Sequence, residues 1–203
     1  MTPQMRKFLV WGIFLFIILM IVVSGCGSYN GMNKKEKAVT AQWSEVENSY
    51  QRRNDLIPNL VAVVKNYADF EKSTLEAVTN ARANATKMTI DPSKLDAESL
   101  KKFQEAQGQV STALGRLLVV SENYPDLKAN QNFLDLQAQL EGTENRIAEA
   151  RRQFILSVQD FNTEISSFPN NLWSGMLGFK EHASFEMAEG ADKAPDVNSL
   201  FKK

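Results

Sequence analysis

The chain has 203 residues, 43% of them hydrophobic, with 23 Lys and Arg against 24 Asp and Glu. That length suits one domain with an extension, and the near-cancelling charge argues against nucleic acid, which requires a basic excess gathered on one face. One cysteine and one histidine exclude an intramolecular disulfide and leave too few ligands for a Cys/His zinc site.

Phe8 to Val23 carries no charge and follows directly on Arg6 and Lys7. Extended to Gly27, the run supplies the about 20 residues that cross roughly 30 Å of hydrocarbon. The same segment has the layout of a secretory signal, basic then apolar then small. It ends in Val23-Ser24-Gly25-Cys26, an order that resembles the bacterial lipobox, whose cysteine is diacylated and becomes the new N-terminus. Residues 1–26 therefore read as a membrane anchor, either a transmembrane helix or a lipoprotein signal with Cys26 as the lipidation candidate. An acylated chain would also be firmly held, since each buried methylene adds about 0.8 kcal/mol. Positive-inside counting sets Arg6 and Lys7 against Lys34, Lys35 and Lys37 and does not decide the orientation. The closeness of the basic pair to the apolar run, and the export that a lipobox requires, favour a body on the periplasmic or extracellular side. The alternative is a single-pass inner-membrane protein with a cytoplasmic body.

Residues 27–38, opening with Gly27-Ser28-Tyr29-Asn30-Gly31-Met32-Asn33, read as a polar spacer. The pattern then turns helical. Val39, Trp43, Val46, Tyr50, Ile57, Leu60, Val64 and Tyr67 fall on a three-to-four repeat, drifting to Phe70, Leu75 and Val78. This first helix is expected to end near Thr89-Ile90-Asp91-Pro92, because proline disfavours helical geometry in the residue before it. Pro58 lies inside it, cannot donate to the carbonyl of Asn54 and predicts a kink, or else a restart capped by Asn54 or Asp55. The kink is the favoured reading.

A second helix is expected from about Asp96 to Asn123, capped by Asp96, with Leu100, Phe103, Val110, Leu114, Leu117 and Leu118 buried and Tyr124-Pro125-Asp126 as its stop. The third has the cleanest period: Phe133, Leu136, Leu140, Thr143, Ile147, Ala150, Phe154, Val158, Phe161, Ile165 and Phe168, ended by Pro169. Its length suggests coiled-coil-like packing. A short amphipathic segment, Leu172 to Phe179, follows. Its Trp173, Met176, Leu177 and Phe179 could touch a membrane or a partner, or fold back on the bundle. The fold class is thus all-α: an N-terminal anchor, an elongated antiparallel bundle of three long helices over 39–180 with a short C-terminal helix, and a poorly ordered tail over 181–203.

Catalytic constellations are missing. His182 has no second histidine to share zinc, Cys26 has no histidine near in sequence, and Trp173-Ser174-Gly175-Met176 is no nucleophile elbow. Carboxylate pairs such as Glu45 with Glu47 and Glu141 with Glu144 read as solvated helix faces, and His182 as a surface residue. Arg53 is the distinctive polar residue, since it takes the seam step between Tyr50 and Ile57. Burying it alone would cost several kcal/mol, so it needs a partner. An acid on the third helix, Glu144 or Glu149, is favoured over a contact that sets register with a neighbouring subunit.

Several stretches together resemble the LemA family. They are Tyr29-Asn30 after the apolar run, Trp43-Ser44-Glu45-Val46, and the block Tyr50-Gln51-Arg52-Arg53-Asn54-Asp55-Leu56-Ile57-Pro58-Asn59-Leu60-Val61. Further on come Glu71 with Ala81-Arg82, Phe133-Leu134-Asp135-Leu136-Gln137, Glu144-Asn145-Arg146-Ile147-Ala148 with Arg151-Arg152, Phe168-Pro169-Asn170-Asn171 and Gly178-Phe179. Two features depart from that family: Phe154-Ile155 stands where Tyr-Asn is frequent, and Cys26 is untypical where relatives keep an uncleaved anchor. The resemblance implies a membrane-tethered antiparallel bundle with no assigned activity; the structural or interaction candidates are Arg52, Arg53, Asp55, Pro58 and Asn59 of the matching block, together with Trp173 of the amphipathic segment. One relative in magnetosome-forming bacteria is associated with shaping an internal membrane. The expected function is structural, scaffolding or partner-docking at the bacterial cell envelope, with no enzyme activity, no cofactor, no metal and no small-molecule substrate. The expected partners are the membrane and either a second copy or another envelope protein. The alternative is a ligand-binding or sensor adaptor acting through a membrane partner.

Overall fold

The computed structural model describes residues 3–66, 71–92 and 95–185, with side chains from residue 11 onward. Helix α1 covers Pro3–Lys65 without interruption. Its apolar stretch contains an 18-residue window of mean hydropathy 2.2, so the helix is long and apolar enough to cross a membrane. Every side chain from Trp11 to Val23 is exposed.

The spacer expected over 27–38 is helical, as part of α1. Gly27 and Gly31 disfavour helix by about 1 kcal/mol each relative to alanine, but packing outweighs them. Met32 is fully buried among Phe161, Ile165 and their neighbours, which extends the Val39 seam backwards by a heptad. Ser28 is also buried.

Pro58 lies inside the helix rather than breaking it. The carbonyl it leaves without an intrahelical donor, that of Asn54, accepts from Arg82 Nε at 2.8 Å. Arg82 belongs to α2, Lys72–Thr86, so a defect in one helix becomes a staple to the next. We expect Arg82→Ala to cost about 1–2 kcal/mol and to cost less in a Pro58→Ala background, where residue 58 regains its N–H. Equal costs in the two backgrounds, measured by denaturant unfolding of the full chain in detergent, would refute this coupling.

The break in the expected first helix falls later, between α1 and α2; the seam positions Tyr67 and Phe70 lie outside the described residues. Helix α3, Ala97–Ser121, begins where expected, with Asp96 accepting from Ser99 N at 2.8 Å. The proline expected only to stop it also starts a single turn, α4, Pro125–Lys128. Helix α5, Gln131–Ser166, buries Phe133, Leu136, Leu140, Thr143, Ile147, Phe154, Val158, Phe161 and Ile165, as its period requires. Phe168 leaves the stripe, because the helix ends before it, and is 80% exposed. Helix α6, Asn170–Leu177, closes on Gly178 at φ 84°, a left-handed position suited to glycine.

Helices α1, α2, α3 and α5 run up, down, up and down. The antiparallel α1–α5 pair is pinned at one end by Lys35 to Asp160 at 2.7 Å and further along by Arg53 to Glu144 at 2.8 Å. Helix α2 pairs with α3 and meets α1, while α6 bridges α1 and α5. The bundle thus has four helical arms, because the expected first helix is two. Residues 181–185 do not belong to a free tail: Ala183 N donates to Leu95 O at 3.1 Å, and Phe185 is buried. Residues 186–203, the rest of the expected tail, lie outside the described residues.

The apolar core is divided in two. One cluster, towards the apolar end of α1, gathers Trp43, Val46, Tyr50, Leu100, Phe103, Phe154, Phe161 and Phe185. The other, at the far end, gathers Ile57, Leu60, Val78, Val110, Leu117, Phe133 and Leu140. Between them lies a polar layer.

Candidate functional site

The layer is built on three helices, at a mid-bundle step of each seam that the sequence assigns to a polar residue. On α1, Arg53 and Asn54 separate Tyr50 from Ile57. On α3, Gln107 separates Phe103 from Val110. On α5, Thr143 and Glu144 separate Leu140 from Ile147. Arg53 is 1% exposed and is the hub. Its Nη1 donates to Glu144 Oε1 at 2.8 Å and to Ser111 Oγ at 2.7 Å. Its Nη2 donates to Gln107 Oε1 at 2.7 Å and to Gln107 O at 3.1 Å. The guanidinium also lies 5.1 Å from the Tyr50 ring centroid. Burial pushes the Tyr50 phenol above its usual range, opposed by Arg151 and Arg53. Glu144 is thus the intrachain acid for Arg53. Glu149, the other candidate, pairs with Arg152 and Gln153, which hold its carboxyl down to about 2.

Beside Glu144 a groove of about 520 Å³ opens between α3 and α5, lined by Ser111, Leu114, Leu118, Gln137, Leu140 and Glu141 among others. Ser111 Oγ accepts from Arg53 and donates to Gln107 O at 3.4 Å, so it is engaged in the layer. Among the described residues no three His, Cys, Asp or Glu side chains gather as metal ligands.

The other candidates divide by location. Arg52, Asp55, Pro58 and Asn59 form an exposed strip on the outer face of α1, with Asp55 accepting from Gln51 Nε2 at 2.8 Å. Cys26 is exposed on α1, about 40 Å along the helix from Arg53 at 1.5 Å per residue. Trp173 sits beside Cys26 and not near Arg53. A Cβ on Gly25 would lie 3.6 Å from its ring, in ordinary contact. Together Ile21, Val22, Gly25, Cys26, Tyr29, Asn30, Trp173 and Leu177 line a largely apolar cleft of about 450 Å³. Of the two readings left open for this segment, Trp173 and Phe179 fold back on the core, whereas Leu172 and Met176 face outwards. Asn170 fixes the start of α6 by donating to Glu164 Oε1 at 2.6 Å, and Glu164 in turn meets Lys35 at 3.3 Å.

His182 was expected at the surface, but its side chain is 10% exposed. Its ring lies over Phe161 at 5.0 Å, and its backbone is clamped by Asn162 through bonds of 2.9 and 3.0 Å. Burial lowers its pKa, opposed by Glu36 at 3.8 Å. The unfolded chain therefore takes up this proton at a higher pH than the folded one. The contribution of neutral His182 to stability is complete above about pH 6.5 and is lost as pH falls below it. Denaturant midpoints measured from pH 8 down to 5 should fall more steeply for the parent than for His182→Gln; parallel curves would refute this.

The sequence reading missed Gln107 and Ser111 as partners of Arg53. Gln107 carried the same signal as Arg53, a polar residue at a seam step, and two such residues on neighbouring helices are natural partners. The contacts of Asn162, His182 and Phe185 had no periodic signal to reveal them.

Comparison with known proteins matches residues 42–199 to the LemA family model. Magnetosome protein MamQ 2 of Paramagnetospirillum magneticum (strain ATCC 700264 / AMB-1) is 26% identical over 192 residues, covering 86% of this chain and 71% of its own length. Magnetosome protein MamQ of Magnetospirillum gryphiswaldense (strain DSM 6361 / JCM 21280 / NBRC 15271 / MSR-1) matches to the same extent, 26% over 192 residues, 86% of this chain and 71% of its own. Protein LemA of Metamycoplasma hominis (strain ATCC 23114 / DSM 25592 / NBRC 14850 / NCTC 10111 / PG21) is 24% identical over 182 residues, covering 87% of this chain and 80% of its own. With the family match running over most of its length, and an all-helical bundle rising from one apolar N-terminal helix, the chain belongs to the LemA family.

Proposed function

We propose that this protein is a membrane-anchored structural element of the bacterial cell envelope, a tethered bundle that docks a second copy of itself or another envelope protein, without catalytic activity. The observation that carries this reading is the continuity of α1 from the apolar run into the core. Trp11 to Val23 are exposed, while Val39, Trp43, Val46, Ile57 and Leu60 of the same helix are core. A bundle mounted on its anchor in this way presents its outer faces at a set height above the bilayer, which is what a scaffold requires. The polar layer around Arg53 engages its own side chains in register-setting bonds, which supports a structural role for it. Kinship with proteins named for the magnetosome fits the same reading.

Light scattering on the full chain in detergent tests it: a dimer or larger species, or a stoichiometric complex with an envelope protein, is expected. A clean monomer that co-purifies with nothing would overturn it. The exposure of Cys26 is compatible with acylation, and the mass of the mature N-terminus distinguishes the two anchors. A diacylated Cys26 places the body on the exported side, and an intact Met1 leaves a transmembrane helix. The groove beside Glu144 supports a second reading, a ligand-binding adaptor acting through a membrane partner. Under that reading an envelope-derived small molecule raises the melting temperature, and Leu118→Trp, which fills the groove, abolishes the shift.

A further inference from the structure

We propose that α6 is a second membrane contact, an interfacial helix that lies on the same bilayer as α1 and fixes how the bundle leans on it. The inference rests on the anchoring of α1 proposed above and goes beyond it. The exposed apolar residues of α6 are Leu172 and Met176, at 60% and 80% exposure, four apart and so on one face, and Phe168, in the turn just before the helix, is 80% exposed as well. Leu177 beside them is 40% exposed. The opposite face is committed to protein: Trp173 packs on the core at Gly25, and Asn170 is bonded to Glu164. An outward stripe of this size on a helix of eight residues with no charged side chain needs a cover.

Position supplies the occupant. The uninterrupted apolar surface of α1 ends at Val23, and α6 packs against α1 at Gly25, within one turn of that point. If the apolar run fills the hydrocarbon, Gly25 lies at the headgroup level, and α6 lies there with it. Trp173 and Tyr29, both at that level, are the residue types that favour the membrane–water boundary. The cleft between α1 and α6 is lined by Ile21, Val22 and Leu177 together with these two, so its apolar wall continues that of the anchor. A lipid surface therefore meets the stripe without any rearrangement of the protein. Because α6 sits to one side of α1, its contact with the bilayer sets the tilt of the bundle over the membrane, which a single crossing helix leaves loosely fixed.

The test uses the full chain in vesicles of phosphatidylcholine and phosphatidylglycerol. A nitroxide is placed on single cysteines, Phe16→Cys, Leu172→Cys, Met176→Cys or Val119→Cys, in a Cys26→Ser background, and collision with oxygen is compared with collision with an aqueous nickel chelate. All four positions are exposed, so labelling them leaves the core intact. The expected result is a deep lipid signal at position 16, a shallow lipid signal at 172 and 176, and an aqueous signal at 119, at the far end of the bundle. Aqueous signals at 172 and 176 with a lipid signal at 16 would overturn the inference and leave the anchor standing. An aqueous signal at 16 would overturn both. Shielding of 172 and 176 from both reagents would mean that protein covers α6, and would also overturn it.

Discussion

Arg53→Ala is expected to destabilise the bundle by on the order of 3–5 kcal/mol. The guanidinium makes four hydrogen bonds, to Ser111, Glu144 and Gln107. Its loss strands the buried Gln107 side chain and opens a void between the two apolar clusters. Glu144 is 46% exposed and can rehydrate, so Glu144→Gln should cost less, about 1–2 kcal/mol. Replacing the buried donor and acceptor together, as Arg53→Met with Gln107→Leu, should recover most of the loss, because apolar groups of similar shape strand no polar atom. Denaturant unfolding of the full chain in detergent, followed by near-ultraviolet circular dichroism, gives all three values. An Arg53→Ala variant within about 1 kcal/mol of the parent, less than one buried hydrogen-bonded group is worth, would show that the polar layer does not hold the helices together. The layer's second role is register: sliding α5 against α1 by one turn would set Arg53 beside an apolar residue of α5, a far worse match than sliding one apolar stripe along another.

Trp43→Ala is the second large effect, expected at about 3–5 kcal/mol. Trp43 is fully buried, with ring centroids 5.2 Å from Phe103 of α3, 5.4 Å from Phe154 of α5 and 6.0 Å from Phe185. One side chain thereby joins two other helices and the C-terminal segment to α1. Its truncation should also loosen residues 181–185, since among the described residues Phe185 would keep Phe154 and the Arg151 guanidinium at 4.5 Å as its ring contacts. Limited proteolysis is expected to cut near Phe185 faster in the variant, alongside a lowered thermal midpoint, while Trp43→Phe should show a smaller change in both. Unchanged proteolysis would show that Phe185 is held by other contacts.

Much of the bundle is legible along the chain because each long helix buries a stripe, and a stripe on a 3.6-residue period shows in sequence. The α5 residues are the clearest instance, and Asp96 with Ser99 marks the start of α3 by local chemistry alone. Arg53 is legible for the same reason, since a charge on an apolar stripe stands out and demands a partner. Its acid could be narrowed to Glu144 or Glu149 but not chosen, because that choice depends on how far α5 slides along α1. The helix over the expected spacer has no local signal, because glycines and polar residues near Gly27 weaken helix preference, and only the burial of Met32 in the core restores it. Pro58 is legible as a residue inside the helix, but the donor that replaces its missing N–H sits on Arg82, in another helix, and so has no local signal.

The sequence by itself determined the all-helical class, the apolar run before Cys26, the buried stripes and the family, all of which rest on local pattern or on residue identity. Only the tertiary structure decided that the apolar run and the bundle share one helix, that Arg53 meets Glu144, Ser111 and Gln107, that His182 is held against Phe161 and Phe185 is buried, and that α6 packs beside Gly25. Each of these is a contact between residues far apart in the chain, and its strength depends on the register and distance of whole helices, which no window of sequence contains.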